Sequence, residues 1–482
     1  MRVRSFLLAT LVVVCFGLWG SAGCGSKQST FGQDGSADDA TTPELDAPLP
    51  VFPDVSPEAK PTCVGLECQV DSCGGNVHTT VSGIVYDPAG RNPLYNVYVY
   101  VPNAPVQPIT SGAVCTACQA PASGSPLPGA VQTDALGKFT VTDVPTGSNI
   151  PLVMQAGKFR RQIIIPTVNS CVDNPVGKKD SNGLETLTRL PRKQNEGNNN
   201  VDNIPQIAMA TGGCDVLECL MRKIGIADTE FSSTGRVHLF QGNGGASGSG
   251  STSAYTFWSN KTELMKHDIV LNSCECSPYN RDTNGSAYTS VRDYLNGGGR
   301  FFGTHYHYNW FAPPTGPTEF QSTANWLSGV SGYGPPFYIN TTIPKGVALN
   351  QWIQNVWKSA PPPQGQINLA YAAGDVSQIQ GKTTPWIYYA NPNLSSNAYS
   401  TAYLSFNTPV SAQPAQQCGR AVFSDLHVSN GGGSGSFPSE CGVGDPLTTA
   451  MTQQETALEF LFFDLSSCVG DDTAPPPPPP PN

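Results

Sequence analysis

Between residues 80 and 166, apolar and polar residues alternate in short bursts: TTVSGIVYD, NVYVYVPN, KFTVTDVP, IPLVMQAG and RQIIIP. Turn-forming clusters, DPAGRNP, DALGK and PTGSN, separate them. Period-two patterning on this scale predicts a small antiparallel β-sandwich. An Asn-rich stretch, RKQNEGNNNVDN, then reads as a linker or a long surface loop. After Cys214 the period changes. In DVLECLMRKIGI, Val216, Leu217, Leu220, Met221 and Ile224 fall at helical spacing. RVHLFQGNGG is a buried strand running into glycines, and KTELMKHDIVLNSCEC is a short helix followed by a second apolar strand at 269–271. SAYTSVRDYLNGGG is a helix stopped by glycine, and RFFGTH is a third strand. TTAMTQQETALEFLFFDLSSC predicts a last helix, opened by Thr452 with Glu455 as a capping box. Helices alternating with apolar strands predict an α/β domain whose mostly parallel sheet is covered on both faces. Ligands of such sheets bind beyond the carboxyl ends of the strands, where the loops at 241–253, 272–277 and 304–310 meet.

The ends and the composition add a location. MRVRSFLLATLVVVCFGLWGSAGC carries Arg2 and Arg4, an apolar run too short for a comfortable spanning helix, and small residues before Cys24. This reads as an export signal. SAGC resembles the lipobox of bacterial lipoproteins, although Ser21 stands where leucine is usual. The resemblance implies lipidation of Cys24, with ordinary secretion as the alternative. Gly25, in place of an Asp-type retention signal, implies the outer membrane. Acyl chains on Cys24 would hold the protein to a bilayer, at about 0.8 kcal/mol per buried methylene. Residues 25–61 have almost no large apolar side chains and read as a flexible tether, and DDTAPPPPPPPN reads as a polyproline II tail. The expected organisation is therefore a signal peptide at 1–23, a lipid-anchored linker at 24–61, the sandwich at 62–172, a linker at 173–213, the α/β domain at 214–468 and a tail at 469–482. A net charge of −10 without any basic block argues against nucleic acid as a partner.

Fifteen cysteines suit an oxidising compartment. Without Cys15 and Cys24 thirteen remain, which leaves one thiol free or paired between chains. Cys63/Cys68/Cys73, Cys115/Cys118, Cys214/Cys219 and Cys274/Cys276 lie close in sequence, and no histidine stands at zinc-finger distance in the first clusters, so disulfides are expected. A bridge directly between Cys274 and Cys276 would be strained, so each is expected to have a distant partner such as Cys441 or Cys468.

Two families are suggested by these motifs. The segment with DPAGRNPLYNVYVYV and TDALGKFTVTDVPTG resembles carboxypeptidase regulatory-like domains, a transthyretin-like or carbohydrate-binding-like sandwich. That resemblance implies an accessory module, in which Asp87, Asp134 and Asp143 only form turns. HDIVLNSCEC, a helix, GGGRFFGTHYHY and the later GRAVFSDLHVS together resemble the class I glutamine amidotransferase-like superfamily, in its trehalose-utilisation type, over about 237–465. The resemblance implies a flavodoxin-like fold and, in the enzymes, a cysteine on a sharp strand-to-helix turn beside a histidine. Here that turn reads Gly303, Thr304, His305, Tyr306, without cysteine. His427 matches the histidine, but the VSN after it lacks the acidic partner.

Glutamine hydrolysis by that route is therefore not expected, and no cofactor is implied. His305 and His427 are the catalytic candidates, and Thr304, His307, Tyr308, Trp310 and Glu275 the candidate ligand-binding residues. Three readings stay open. The first is a degenerate site lining a pocket. The second is a metal site of His305, His307 and His427 with Asp425 or Glu275 in reach, although no metal is expected. The third is a hydrolytic site with Cys274 or Cys276 as nucleophile and a histidine as base. Tyr306, Tyr308, Trp310, Phe311, Trp326, Tyr333 and Phe337 crowd the same region and can stack on sugars. QGNGGASGSGS has neither a P-loop nor a dinucleotide frame and reads as a flexible rim, while His238 and His267 read as structural. The leading expectation is an envelope protein that recognises carbohydrate or peptide. The alternatives are a glycan hydrolase or isomerase and a purely structural surface protein.

Overall fold

In the sandwich, Thr80–Ile84 pairs antiparallel with Lys138–Thr142 and parallel with Asp173–Pro175. The facing sheet places Val131–Gln132, Tyr98–Tyr100, Gly147–Ala156 and Phe159–Val168 side by side, all antiparallel. Val81, Val99, Phe139, Val141, Leu152 and Met154 are buried, as the alternation requires. These features belong to a computed structural model that describes residues 63–115, 122–197, 200–327, 332–394, 398–428, 435–442 and 444–476. The expected signal segment, Cys24, the tether, Cys118 and the last six residues of the chain lie outside the described residues.

The large sheet has, in chain order, β1 (Ile207–Thr211), β2 (Val237–Gln241), β3 (Thr252–Ser253), β4 (Ile269–Asn272), β5 (Arg300–Thr304), β6 (Phe337–Ile339), β7 (Gln366–Ile367), β8 (Thr384–Ala390), β9 (Tyr399–Thr408) and β10 (Gly419–Ser424). Side by side they run β3-β2-β1-β4-β5-β10-β9-β8-β6-β7. Neighbours are parallel from β3 to β10 and antiparallel from β10 to β7. The sheet is thus mixed, and the expectation of a mostly parallel one holds only for half of it. The antiparallel half comes from residues 311–417, where the pattern was weakest.

Two boundaries also change. Residues 173–213, expected as linker, supply a sandwich strand and β1, which lies between β2 and β4. Every residue of β1 is buried, so it shows no alternation, and five apolar or small residues after Asn-rich sequence carry little signal. The tail begins later than 469. Asp472 is buried against Lys345 and against Arg420 of β10, and these two cations also bind Asp464. Buried cations need carboxylates, and the tail supplies one.

Four helices matter for the packing: α1 (Leu217–Ile224), α2 (Ala287–Asn296), α3 (Pro344–Val356) and α4 (Gln453–Ser466). Thr452 and Glu455 form the expected capping box on α4. Gly225 ends α1 at φ +109°, where a Cβ would stand 2.2 Å from the Ala89 nitrogen, so glycine alone lets the helix meet the sandwich. The sandwich and the large sheet share one core. Phe159 packs on Phe462 and Phe463 of α4, and Tyr95 stacks on Phe460. Trp352 of α3 donates its indole N–H to the Pro93 carbonyl at 2.6 Å, and Asn92 donates to Glu459 at 2.6 Å.

Disulfides reinforce this join. Cys115 of the sandwich insertion is bridged to Cys418 beside β10, across 303 residues of sequence, and Cys219 of α1 is bridged to Cys441. Cys63–Cys68 and Cys73–Cys171 close the sandwich side. Replacing Cys115 and Cys418 together by serine is expected to lower unfolding stability by about 3 kcal/mol, because the denatured chain regains a long loop already shortened by other bridges. An unchanged denaturation midpoint would refute this.

Candidate functional site

Four neighbouring parallel strands, β1, β4, β5 and β10, deliver one chemical group each at their carboxyl ends. After β1 comes Asp215, after β4 Cys274, after β5 His305 and after β10 His427. β5 does not run on past Thr304. The chain turns into a 3-10 segment, His305–Trp310, and His305 itself sits at φ +43°. A non-glycine residue in that region stores roughly 1–3 kcal/mol of strain, which its surroundings must hold in place.

The turn brings His305 to Cys274. The Cys274 sulfur lies 3.7 Å from His305 Nδ1, while His305 Nε2 lies 3.7 Å from an Asp375 oxygen. The His305 and His427 rings are 5.1 Å apart, and donor atoms of Cys274, His305 and His427 all fall within 4.8 Å of one another. His427 Nε2 is buried without a hydrogen-bond partner among the described residues. Asp215 accepts the Val216 N–H at 3.0 Å and the Val428 N–H at 2.8 Å, which ties the start of α1 to the His427 loop. Asp375 donates its backbone N–H to Asp425 at 3.1 Å.

Burial governs the protonation states. It pushes the Cys274 thiol up to about 12, against a smaller opposing pull from the backbone at Cys276 and Tyr306. It pushes the His305 imidazole down to about 3, with His427 adding to the effect. Burial, then the neighbouring Asp375, raises Asp425 well above the usual carboxylate range. Burial also raises Asp215, opposed by His427. The resting site is a neutral thiol facing a neutral imidazole, with carboxyl groups behind. Burial opposes transfer of the thiol proton to this imidazole, so the ion pair forms only if something stabilises it, and Asp375 is the carboxylate placed to stabilise the imidazolium. Thiolate and imidazole nitrogens are also metal ligands.

The other expected site residues are placed differently. His307 is buried, with Nε2 donating to the Ser273 carbonyl at 2.9 Å and Nδ1 accepting from the Trp310 indole at 2.9 Å. It therefore cannot join His305 and His427 as a ligand. A strand would put residues two apart on one face, but at three residues per turn they diverge by roughly 240°. Trp310 and Tyr308 are buried and are not offered to a ligand, and Trp310 packs edge-on against Trp258 and Phe301. Phe311 and Phe337 are likewise core. Thr304 is buried, its hydroxyl donating to the Asn272 carbonyl at 3.4 Å. Glu275 is also buried, paired with Arg281 at 2.5 Å and accepting from the Asn243 N–H and the Tyr255 hydroxyl, so it pins the Gly-rich loop and faces no cleft. His238 and His267 bond to each other at 3.0 Å.

Of the expected rings Tyr333 is exposed and Tyr306 half-buried, and Tyr371 joins them. Tyr306 stacks on His305 at 3.9 Å, and Tyr333 and Tyr371 are each 47% exposed. The Tyr371 hydroxyl accepts the Gly332 N–H at 2.9 Å.

Cysteine pairing departs from expectation. Cys276 is bridged to Cys214, Cys441 to Cys219, and Cys274 is the free cysteine among the described residues. The odd thiol was expected from the count, but its position was not. Asp215 and Asp375 were missed altogether. Asp375 lies in the weakly patterned middle, and Asp215 stands one residue after a cysteine in a turn, where aspartate is ordinary. A second cluster, Cys219, Glu440 and Cys441, is no metal site, because its two sulfurs are bonded to each other.

No family model matches the chain, and no curated protein matches it. Among solved structures, it is similar to a cytoplasmic protein of Salmonella typhimurium at 10% identity and a TM-score of 0.27, covering 54% of this chain and 98% of that one. It is also similar to a ThuA-like protein of Bacteroides uniformis at 10% identity and a TM-score of 0.28, covering 53% of this chain and 88% of that one.

Proposed function

We propose that this is an exported, lipid-anchored protein of the outer membrane whose α/β domain is a hydrolase acting on an envelope component, with glycan as the first substrate class to test. One observation carries the reading: Cys274, His305 and His427, from three strand ends, converge within 4.8 Å at the sheet edge where such folds bind ligands. The five longer parallel strands, in the order second, first, third, fourth, fifth, support a flavodoxin-like domain of the class I amidotransferase-like type. His305 takes the elbow position of the missing cysteine, and Cys274 on the neighbouring loop is the candidate nucleophile. The sandwich, read as carboxypeptidase regulatory-like, is the accessory part.

Recognition without catalysis is the second reading, and one observation favours it. A cavity of about 570 Å³ between the sandwich and α3 is lined by Arg91, Lys138, Lys179 and Lys358 beside Trp357, with no carboxylate among its described lining residues. Such a cleft suits an acidic sugar or peptide. Both readings meet one experiment, in which the full-length protein in detergent is given a panel of neutral and acidic envelope glycans and both binding and product release are followed. His305→Ala and His427→Ala are each expected to lower turnover at least about 100-fold. Turnover unchanged in both variants, or saturable binding without turnover in the native protein, would rule out the hydrolase.

A further inference from the structure

We infer that Cys274, His305 and His427 form a three-ligand zinc site with its fourth position left for water or substrate. The inference rests on the proposed hydrolytic site and keeps its residues, but turns Cys274 from nucleophile into ligand and makes a bound water the nucleophile.

Its first support is geometric. Bond lengths of about 2.3 Å to sulfur and 2.0–2.1 Å to nitrogen, at a tetrahedral angle, set the two ligand atoms about 3.6 Å apart. The Cys274 sulfur and His305 Nδ1 are 3.7 Å apart. The third donor falls inside the same 4.8 Å span.

The second support lies in what surrounds the ligands. With Nδ1 turned to the sulfur, His305 Nε2 faces an Asp375 oxygen at 3.7 Å, beyond hydrogen-bond length but on the side from which a carboxylate orients a metal-bound histidine. His427 Nε2 is buried and has no hydrogen-bond partner among the described residues, a position that a metal bond would satisfy. His305 holds this position with φ +43°, a strained value for a non-glycine residue that its surroundings must maintain.

The third support is chemical. Cys274 is the free cysteine among the described residues of a disulfide-rich chain. Zinc takes sulfur and nitrogen ligands readily, and catalytic zinc sites keep three protein ligands and one open position. Binding displaces the thiol proton to solvent and leaves the zinc charge partly neutralised by one thiolate. A water in the fourth position would then be activated for hydrolysis.

The test uses the full-length protein in detergent. After loading with zinc and extensive dialysis, elemental analysis is expected to give about one zinc per chain, and cobalt loading a thiolate-to-cobalt charge-transfer band. Cys274→Ala, with an unchanged circular dichroism spectrum, is expected to lose the band and at least ten-fold in zinc affinity. A second readout needs no variant: zinc is expected to slow alkylation of the Cys274 thiol in the native protein at least ten-fold. Zinc below one tenth per chain, together with alkylation indifferent to zinc, would overturn the inference. Turnover that survives removal of all metal by a chelator would also overturn it, leaving Cys274 as nucleophile and the hydrolase reading intact. Zinc bound at Cys274 without turnover on any glycan would sustain the site and remove the hydrolase reading instead.

Discussion

Arg420→Met is expected to destabilise the protein by about 3–5 kcal/mol, the usual penalty for breaking a buried ionic network by removing one member. Arg420 is fully buried in β10 and donates to Asp464 at 2.9 Å, to Asp472 at 2.7 Å and to the Ser405 hydroxyl at 3.0 Å. Lys345 binds the same two carboxylates, each at 2.8 Å. Two cations thus face two anions out of water, and methionine would leave two carboxylates sharing one ammonium. Burial opposes the Asp472 charge, but Arg420 and Lys345 outweigh it and hold the carboxyl below the usual range. A lowered carboxylate contributes stability above its unfolded pKa and loses it as pH falls through the folded one, so the wild-type advantage should shrink in acid. Guanidinium denaturation of the two proteins at pH 7 and at pH 3 checks both statements. A pH 7 difference under 1 kcal/mol would show that the network contributes little. Arg420→Met with Asp472→Asn should recover part of the loss, since the excess charge is gone.

Glu218→Gln should do the opposite and stabilise the protein at neutral and alkaline pH. Glu218 lies in α1 with no exposed surface, and neither carboxyl oxygen has a hydrogen-bond partner among the described residues. Burial, joined by Glu440 and Asp215, raises it to about 8. Between the unfolded value near 4.5 and that folded value, the native state holds a proton that the unfolded state has lost. Stability from this group is therefore complete below the unfolded pKa and falls as pH rises to about 8. A shift of this size corresponds to roughly 5 kcal/mol at pH 9. Glutamine keeps the shape and cannot ionise, so the difference between variant and wild type should be near zero at pH 4 and grow to that size by pH 9. A difference that does not change with pH would sink the argument.

The legible parts of this chain were those with a period or a cap. The helix after Cys214, the glycine stop before β5 and the Thr452/Glu455 capping box are local chemistry, and local chemistry can be read one segment at a time. That the loops after β4 and β5 meet also followed from parallel strands. β1 was invisible because a strand buried on both faces has no alternation. His305 and His307 could not be told apart by spacing, since their fates depend on one backbone torsion at the strand end. Trp310 was taken for a rim residue because composition does not say which way a ring points, and it points into the core. The partner of each cysteine and the place of Asp375 are set by tertiary contacts across the mixed sheet, which no single stretch records.

The shared core has a consequence for how this protein can be taken apart. Sandwiches of the accessory type are usually treated as beads on a string, cut away at will and transplanted. Here Phe159, Tyr95 and Pro93 are seated on α3 and α4, and the first strand of the large sheet follows within a few residues of chain that bonds back to the sandwich at Arg160 and Asn203. Severing the two would strip the aromatic face from both halves at once. The sandwich is therefore a foundation for the sheet and not a detachable reader, and calorimetry should find one heat-absorption peak where a modular architecture would give two.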